Sequence, residues 1–528
     1  MPKHYLIVPH GIWGHLRPAI SFIPNLLRHS PDALVTLMIP IVHSIPAAQE
    51  LRRYGLDEEQ ENIKVIHYGS KEKKEIKQVA KTGLVEMMTL IEDIISTITE
   101  NYPKLLNSQP IFDTYLNKEV QPHSTAPDVA IIEVSTTQWT IPICEKYNEE
   151  YKKNTRLAVW CPTGGNHAAW ALCNLYQGQK YQDRISKIFA ATSEDEKQRI
   201  YNEVIGENEE IVHAPNSAPI RVFEAQPNQP DNFLNIIGPC LPIIPRVTLV
   251  HAWPAFIGQE YKKTAADVGI NVLQIGPQLP RPTDRDSALE DGLLKDFLDK
   301  ALEEKGKNSV IYIRRVSTPS MILTASILER YRIAVAVSFG TLLFPANIEQ
   351  ISIMIDVLIA QDKRFVLARG IASPEIQDLI AQKVDQSGGR GIHVDWAPQF
   401  AVLQHEATGW FLTHGGSNST MEAMRTRTPM LFWPADVDQV WIANQFSRIL
   451  SAGYEFYQIR NGPSIGRTTY TGVKVEGTRE AMQKEFEDVF GALDGQLGKK
   501  LRKGVEELGE KMDNDKYTEE DWSRLLEL

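Results

Sequence analysis

Short apolar runs alternate with amphipathic stretches along the chain, and this alternation predicts strands separated by helices. At the start, the apolar segment Tyr5–Pro9 leads into a glycine-containing turn at His10–His15, and Pro18–His29 then carries apolar residues at helical spacing. The β-rich segment Ala33–Val42 follows. A strand, a helix and a second strand in this order imply a parallel sheet with a right-handed crossover. Ligands of such sheets bind at the carboxyl ends of the strands, where the first turn lies.

The same alternation continues through both halves of the chain. In the first half, helices are expected within 74–106 and 183–212, and further strands at Asp128–Val134, Leu157–Cys161, Val247–His251 and Val272–Ile275. In the second half, the predicted strands are Phe365–Ala368, His393–Trp396, Trp410–Thr413 and Pro429–Trp433. We therefore expect an α/β protein with two Rossmann-like, doubly wound domains that face each other across a cleft.

Proline and charge are dense from Gly276 onward, which predicts a linker between the domains. The expected division is a first domain at 1–275, a linker at 276–300, a second domain at 301–505 and a helical segment at 506–528 that packs back on the first domain. A chain of 528 residues is too long for one hydrophobic core, which agrees with two domains.

Composition and charge exclude several classes of protein. With 42% hydrophobic and 23% charged residues, the chain has the composition of a soluble globular protein. Its net charge of −11 argues against binding to DNA or RNA. The four cysteines are widely spaced, so we expect free thiols rather than a zinc site or a disulfide framework. No signal peptide or bilayer-spanning apolar run is recognised, so we expect a cytoplasmic monomer without an integral membrane segment.

The segment 395–439 concentrates the residue types that bind a nucleotide diphosphate. A predicted strand leads into His-Gly-Gly at 414–416 and then into a helix. Glycines allow the backbone to approach an anion, and the N–H groups at a helix start then hold it. The side chains of His414, Asn418 and Ser419 add donors at the same place. The pattern therefore predicts a diphosphate-binding turn.

The same segment resembles the donor-binding motif of the UDP-glycosyltransferase family, whose members have the GT-B fold. The family pattern runs from WxPQ through H-x-G-x-N-S and a downstream Glu to a final Asp-Gln. This chain has WAPQ at 396–399, HGGSNS at 414–419, and then Glu422, Asp438 and Gln439, in the same order and at matching spacing. Each piece alone has a commoner structural explanation, since Ser-x-x-Glu is also a helix capping box and a lone Trp is usually a core residue. Order and spacing together carry the resemblance.

The resemblance implies a role for each matching residue. The base and ribose would be held by Trp396, which stacks on the uracil, by Gln399, and by Glu422, which accepts from both ribose hydroxyls. The diphosphate would be held by His414, Gly416, Asn418 and Ser419, and the sugar hydroxyls by Asp438 and Gln439. These residue types suit their ligands, because a flat ring stacks on a π-face and an anion binds at a helix start. Ser417 stands where many plant members have Trp, which favours a fungal-type member.

The sequence GHLRP at 14–18 resembles the catalytic-histidine motif of the family. His15 would then lie at the end of the first strand and act as general base, because an imidazole titrates near neutral pH. The family usually orients this base with an Asp at the end of a later strand, and here Glu133, one methylene longer, takes that place. A strand-end surface carboxylate is the alternative for Glu133. The implied reaction is an inverting displacement without a metal, in which the leaving UDP is held by the helix start, by His414 and Ser419, and by Thr341.

The start of the second domain departs from the family pattern. Members begin this domain with a strand of the form VxYVSFGS, whereas here NSVIYI ends at Ile313 and SFGT starts at Ser338. We interpret the intervening 314–337 as an aberrant insertion, either a retained intron or a gene-model error, and a genuine lineage-specific loop is the alternative. The RIAVAV part of this segment could also replace NSVIYI as the strand, which would displace 309–313.

We therefore predict an enzyme that transfers a hexose from a UDP-sugar to a hydroxyl of a small lipophilic acceptor, as in secondary metabolism. The expected hexose is glucose, by analogy with family members that have a glutamine at the position of Gln439. A sterol- or lipid-type glycosyltransferase of the same fold is a second hypothesis, although that group tends to have HGGxGT in place of HGGSNS. A third hypothesis, from a different class, is a non-catalytic relative that binds a nucleotide sugar. Transfer activity distinguishes the enzymes from the binding protein.

Overall fold

The computed structural model describes residues 2–56, 60–69, 83–173, 175, 187–188, 190–227, 243–279, 289–314, 348–369, 374–435 and 437–528. The first domain contains the described strands β1 (His4–Val8), β2 (Leu34–Pro40), β3 (Ile63–Tyr68), β4 (Ile111–Asp113), β5 (Lys118–Val120), β6 (Val129–Glu133), β7 (Arg156–Cys161), β8 (Ile211–Val212), β9 (Ile220–Arg221), β10 (Thr248–His251) and β11 (Asn271–Gln274). Seven of them form a parallel sheet in the order β11–β10–β7–β6–β1–β2–β3. The remaining four form two small antiparallel pairs, β4 with β5 and β8 with β9.

Strand β1 shows why this sheet is buried on both faces. Its side chains alternate, so that Leu6 and Val8 enter one hydrophobic cluster while Tyr5 and Ile7 enter the cluster on the opposite face. A strand covered on both faces appears as a continuous apolar run, as in Tyr5–Val8, rather than as an alternation of apolar and polar residues. The covering helices are α1 (Trp13–His29), α2 (Ser44–Arg53), α3 (Gly83–Leu106), α4 (Thr137–Glu150), α5 (Glu194–Tyr201) and α6 (Gln259–Asp267).

Helix α1 begins earlier than the sequence pattern predicts. The first helix was expected from Pro18, but it starts at Trp13 and therefore includes His15 in its first turn. Pro18 lies inside the helix, where it removes one backbone hydrogen bond, that to the carbonyl of Gly14, without ending the helix. The position predicted for His15, at the end of the first strand, is corrected to the first turn of α1.

The second domain is built on a six-stranded parallel sheet. Its strands are β12 (Val310–Arg314), β13 (Arg364–Ala368), β14 (Gly391–Val394), β15 (Thr408–Thr413), β16 (Met430–Phe432) and β17 (Gly453–Glu455), in the order β14–β13–β12–β15–β16–β17. Its helices are α7 (Leu293–Lys305), α8 (Ile348–Ala360), α9 (Pro374–Gln386), α10 (Gln399–Gln404), α11 (Ser417–Arg425), α12 (Gln439–Asn444), α13 (Arg479–Ala492), α14 (Gln496–Asp513) and α15 (Lys516–Glu527). With two parallel sheets covered by helices, the predicted α/β fold with two Rossmann-like domains is confirmed.

Strand β12 settles one alternative about the second domain. Val310–Arg314 lies in the middle of the sheet and pairs with both β13 and β15. The hypothesis that RIAVAV replaces this strand and displaces 309–313 is therefore wrong. Residues 315–347, which include the rest of the suspected insertion and Thr341, lie outside the described residues.

The last helix, α15, packs against the first domain. Trp522 donates from its indole N–H to the carbonyl of Ile275 at 2.9 Å and stacks on Phe22 of α1. Asp521 is fully buried and accepts a hydrogen bond from the backbone N–H of Gln274 at 2.7 Å. The chain therefore crosses back to the first domain after completing the second. In the described part of the chain, no helix has both the length and the apolar run that crossing a bilayer requires.

The two sheets present corresponding edges to each other. In the first sheet the chain reverses its direction of growth between β1 and β6, and in the second between β12 and β15. Ligands of doubly wound sheets bind at this switch point, outside the carboxyl ends of the strands. His15 and Glu133 follow β1 and end β6, whereas Arg314 and His414 end β12 and follow β15. The fold thus brings the two predicted halves of the site to facing edges.

Candidate functional site

His15 and Glu133 form a buried pair at the switch point of the first sheet. The Nδ1 atom of His15 lies 2.9 Å from Glu133 Oε1, and the two residues are 4% and 0% exposed. Glu133 is the last residue of β6, so the hypothesis of a surface carboxylate does not hold. An ionised carboxylate only accepts hydrogen bonds, so Nδ1 must carry the proton, and Nε2 at the opposite edge of the ring is the basic atom of neutral His15. This is the arrangement of a general base with its orienting acid.

A second histidine, His10, lies beside this pair with a defined tautomer. Its Nδ1 accepts a hydrogen bond from the backbone N–H of Ile12 at 3.0 Å, so Nε2 carries the proton of the neutral ring. The ring centroids of His10 and His15 are 5.8 Å apart. Burial, followed by the nearby His15 and His43, holds the pKa of His10 well below its ordinary value. His10 is therefore neutral and does not compete with His15 for a proton.

The turn after β15 has the geometry that its two glycines predict. Gly415 has a φ of 84°, in the left-handed region that favours glycine. A Cβ atom on Gly416 would lie 2.5 Å from His414 Nε2, so the imidazole packs directly over the Gly416 backbone. Gly416 is the N-cap of α11 and provides no side-chain cap to the first turn of the helix. The N–H groups at this helix start thus have the orientation that binds an anion.

Asn418 connects α11 to the first domain. Its Nδ2 donates to the carbonyl of Gly14 at 2.7 Å. Within α1, that carbonyl would normally accept from the N–H of residue 18, but Pro18 has none. Asn418 therefore satisfies a carbonyl that the proline leaves without its helical donor. In this structure the Asn418 amide bridges the domains, whereas the sequence pattern assigned it to the diphosphate.

Glu422 lies at the centre of a buried network that also crosses between the domains. Its Oε1 accepts from Arg17 Nη1 at 2.7 Å, and its Oε2 accepts from Gln399 Nε2. Gln399 also donates to Ser419 Oγ at 3.2 Å and accepts from Arg314 Nη1 at 2.6 Å. The structure thus brings together three residues that the sequence placed at the ribose and diphosphate, namely Gln399, Ser419 and Glu422.

The remaining predicted donor-site residues of the second domain that the structure describes are Trp396, Asp438 and Gln439. Trp396 follows β14, outside the strand predicted at His393–Trp396, and 65% of its surface is exposed. An exposed indole face is unusual for so large an apolar side chain and leaves a surface on which a flat base can stack. Gln439, which begins α12, is buried and accepts from the backbone N–H of Ala435 at 2.9 Å.

Asp438 is a buried carboxylic acid whose pKa is shifted toward neutrality. It is 1% exposed, and burial raises its pKa to about 6, although a hydrogen bond from Thr163 and the charge of His15 both oppose the rise. Thr163 Oγ1 donates to Asp438 Oδ2 at 3.0 Å. The charge of His15 therefore acts on Asp438, so the two side chains lie in the same cleft although they come from different domains.

The structure adds residues that the motif comparison does not identify. Arg17, Thr163 and Arg314 each contact a predicted donor-site residue. Arg17 lies inside the GHLRP sequence, so its proximity to His15 was available as a clue. Thr163 and Arg314 follow or end strands that only the sheet order brings to the cleft. Thr341, predicted to contact the phosphate, lies outside the described residues.

Comparisons with known proteins point to one family. The family model described as UDP-glucoronosyl and UDP-glucosyl transferase matches residues 333–453. The match begins inside the segment 314–337, so the end of that segment is family-like in sequence. A UDP-glycosyltransferase, eriJ, of Hericium erinaceus is 23% identical over 92% of this chain and 90% of its own length. UDP-glycosyltransferase 73C6 of Arabidopsis thaliana is 31% identical, but over 27% of this chain and 30% of its own length.

Solved structures show the same fold. The structure of Medicago truncatula UGT71G1 complexed with UDP-glucose has a TM-score of 0.62 at 16% identity and covers 100% of this chain and 98% of its own. Phytolacca americana UGT2, complexed with UDP-2fluoro-glucose and pterostilbene, has a TM-score of 0.61 at 16% identity and covers 99% of each chain. These are GT-B structures, so the GT-B architecture expected from the motif is confirmed.

Proposed function

Because this chain is a glycosyltransferase of the UDP-glycosyltransferase family, we propose that it transfers a hexose from a UDP-sugar to a hydroxyl of a small lipophilic acceptor, with inversion at the anomeric carbon. The observation that carries this proposal is the buried His15–Glu133 pair on the edge that faces α11 of the other domain. The pair supplies a base, and α11 supplies a helix start for the diphosphate.

In the proposed mechanism, Nε2 of His15 removes the acceptor proton as the acceptor oxygen attacks the anomeric carbon. The bond from that carbon to the diphosphate breaks, and UDP leaves with the electron pair. Glu133 stabilises the imidazolium through Nδ1, as the orienting acid does in catalytic triads. The N–H groups at the start of α11, with His414 and Ser419, hold the charge that develops on UDP without a metal. Thr341 is proposed as a further phosphate contact.

The donor would bind across the second domain. Trp396 would stack on the uracil, Gln399 and Glu422 would hold the ribose, and Asp438 and Gln439 would hold the sugar hydroxyls. Glucose is the proposed sugar, supported by Gln439 and by the UDP-glucose in the UGT71G1 complex. A phenolic acceptor is supported in the same way by the pterostilbene in the Phytolacca americana UGT2 complex.

The test is a transfer assay on the full chain in a buffer that contains EDTA. UDP-sugars with different hexoses are incubated with a panel of phenols and aliphatic alcohols, while UDP release and glycoside mass are measured. We expect a β-glycoside from the α-linked donor, and a His15→Ala loss of about 10²–10⁴-fold. His405→Ala is the matched control, because His405 pairs with Asp299 at 3.0 Å and has no assigned part in the reaction. UDP binding without transfer to any acceptor would instead favour the non-catalytic relative.

A further inference from the structure

Arg17 is an unexpected neighbour of the proposed ribose site. It lies two residues after His15 on α1, in the first domain, yet its guanidinium reaches a carboxylate of the second domain. Nη1 donates to Glu422 Oε1 at 2.7 Å, and Nε donates to Glu50 Oε1 at 3.0 Å. The side chains of Glu422 and Glu50 are 1% and 2% exposed, so Arg17 joins two buried carboxylates.

The planar guanidinium is suited to this double contact. It presents several N–H donors in a fixed fork, whereas an ammonium is a compact point charge. Burial lowers the pKa of Arg17, but the charges of Glu422 and Glu50 outweigh that effect and raise it above the usual value. Arg17 therefore remains charged and forms an ion pair with the buried Glu422 side chain, where removing one partner of such a pair is costly.

Glu422 is oriented from both of its oxygens. Arg17 holds Oε1 from the first domain, and Gln399 holds Oε2 from the second, with Arg314 holding Gln399 in turn. A carboxylate has about four acceptor positions, so these two contacts use only part of the capacity of Glu422 to accept hydrogen bonds. The vicinal hydroxyls of a ribose are a pair of hydrogen-bond donors.

We propose that Arg17 is a positioning residue for the donor: it holds the Glu422 carboxylate oriented for the ribose hydroxyls, so that ribose recognition requires the first domain as well as the second. The proposal rests on the proposed function, which assigns Glu422 to the ribose. It extends that function by making the ribose site an interdomain one, completed by a residue from the helix that carries His15.

The experiment compares the affinity of the full chain for UDP and for 2′,3′-dideoxy-UDP, which lacks both ribose hydroxyls. Hydrogen bonds to a charged group are strong, so the wild type should bind UDP at least about tenfold more tightly than the dideoxy analogue. Arg17→Gln should bring the two affinities close together, mainly by weakening UDP. A merely structural role for Arg17 would weaken both ligands equally and leave their ratio unchanged.

Arg53→Gln is the matched control. Arg53 Nη1 donates to the other oxygen of Glu50, Oε2, at 2.8 Å and so belongs to the same cluster without contacting Glu422. This variant should keep the wild-type ratio. If Arg17→Gln does not fold, Arg17→Lys carries the test, because lysine keeps the charge without the fork and should still lower the ratio.

The possible outcomes separate the role of Arg17 from the assignment of Glu422 to the ribose. A wild-type chain that discriminates the two ligands, with Arg17→Gln or Arg17→Lys discriminating equally well, overturns the role of Arg17 and leaves the ribose assignment of Glu422 intact. A wild-type chain that binds both ligands equally overturns the ribose assignment and the inference together. Loss of discrimination in the Arg17 variants alone supports the inference.

Discussion

Replacing Glu133 with glutamine tests whether this carboxylate orients and stabilises His15. Glutamine has nearly the same size, but it carries no charge. In the protein, Glu133 Oε1 lies 2.9 Å from His15 Nδ1, and Glu133 is fully buried. A neutral amide can offer either its oxygen or its NH₂ group to the ring, so it neither selects the tautomer nor stabilises the imidazolium that forms during proton transfer.

The size of the effect follows from the burial of the pair. A hydrogen bond to a charged group contributes about 1.5–3 kcal/mol, which corresponds to about a 10- to 150-fold loss in kcat/KM when the charge is removed. If the ring also turns and the base is lost altogether, the loss should approach the full contribution of a general base, about 10²–10⁴-fold. Glu133→Asp retains the charge but withdraws it by about one bond length, so its loss should be smaller.

The assay measures kcat/KM for transfer at fixed UDP-sugar, together with the free energy of unfolding in urea. Asp113→Asn is the matched control, because Asp113 Oδ2 lies 2.9 Å from His67 Nδ1 in an equally buried pair of the same domain. Breaking either pair should destabilise the fold, but only the Glu133 variant should lose transfer activity. Glu133→Gln with wild-type kcat/KM, or Asp113→Asn with an equal loss, would refute the role assigned to Glu133.

Three further predictions concern Asp438 and Gly416 of the second domain. Folding raises the pKa of Asp438 from 3.8 to about 6, so the folded chain binds a proton more tightly there, and the contribution to stability is complete below pH 3.8 and lost as pH rises through about 6. Asp438→Asn should therefore raise the free energy of unfolding by up to about 3 kcal/mol at pH 8 but not at pH 4. Urea unfolding at both pH values measures this difference, and an equal rise in the free energy of unfolding at the two pH values would contradict the prediction. If the ionised carboxylate holds sugar hydroxyls, the donor KM of the wild type should also rise as pH falls through about 6, and that rise should disappear in Asp438→Asn. Gly416→Ala should raise the donor KM about tenfold or more, because the new Cβ would lie 2.5 Å from His414 Nε2 and displace a proposed diphosphate ligand. Gly491→Ala is its control, because a Cβ there meets its nearest heavy atom at 3.6 Å; equal KM values for the two alanine variants would show that His414 does not hold the donor.

Much of the second-domain site could be predicted because its residues are close together in sequence. The turn at 414–416, the helix after it and Glu422 all belong to one strand–turn–helix unit. Local geometry determines such a unit: the left-handed φ of Gly415 and the close approach at Gly416 follow from residue type and order. The structure therefore agrees with the sequence on the form of this turn.

Contacts between the domains could not be predicted in the same way. Asn418 was assigned to the diphosphate, but its amide donates to the Gly14 carbonyl, 404 residues away in the chain. Arg17 and Glu422 are 405 residues apart, and no spacing rule relates them. Helix boundaries show a smaller effect of the same kind, because α1 extends five residues before Pro18 and carries His15 into its first turn.

The amino-acid sequence alone was enough to identify the α/β class, the two parallel sheets and the residues of the donor motif. Periodicity and motif order are local properties, so they can be recognised within each βα unit independently of the rest of the chain. The pairing of His15 with Glu133 was expected from the family resemblance, and the adjacency of β1 and β6 in the first sheet decided it over a surface carboxylate. Joining Arg17 to Glu422 and burying Asp438 near His15 required the approach of the two domains. Hydrogen bonds and charges act over a few ångströms, so the partners of a buried polar group are known only when the folded chain has brought distant segments into contact.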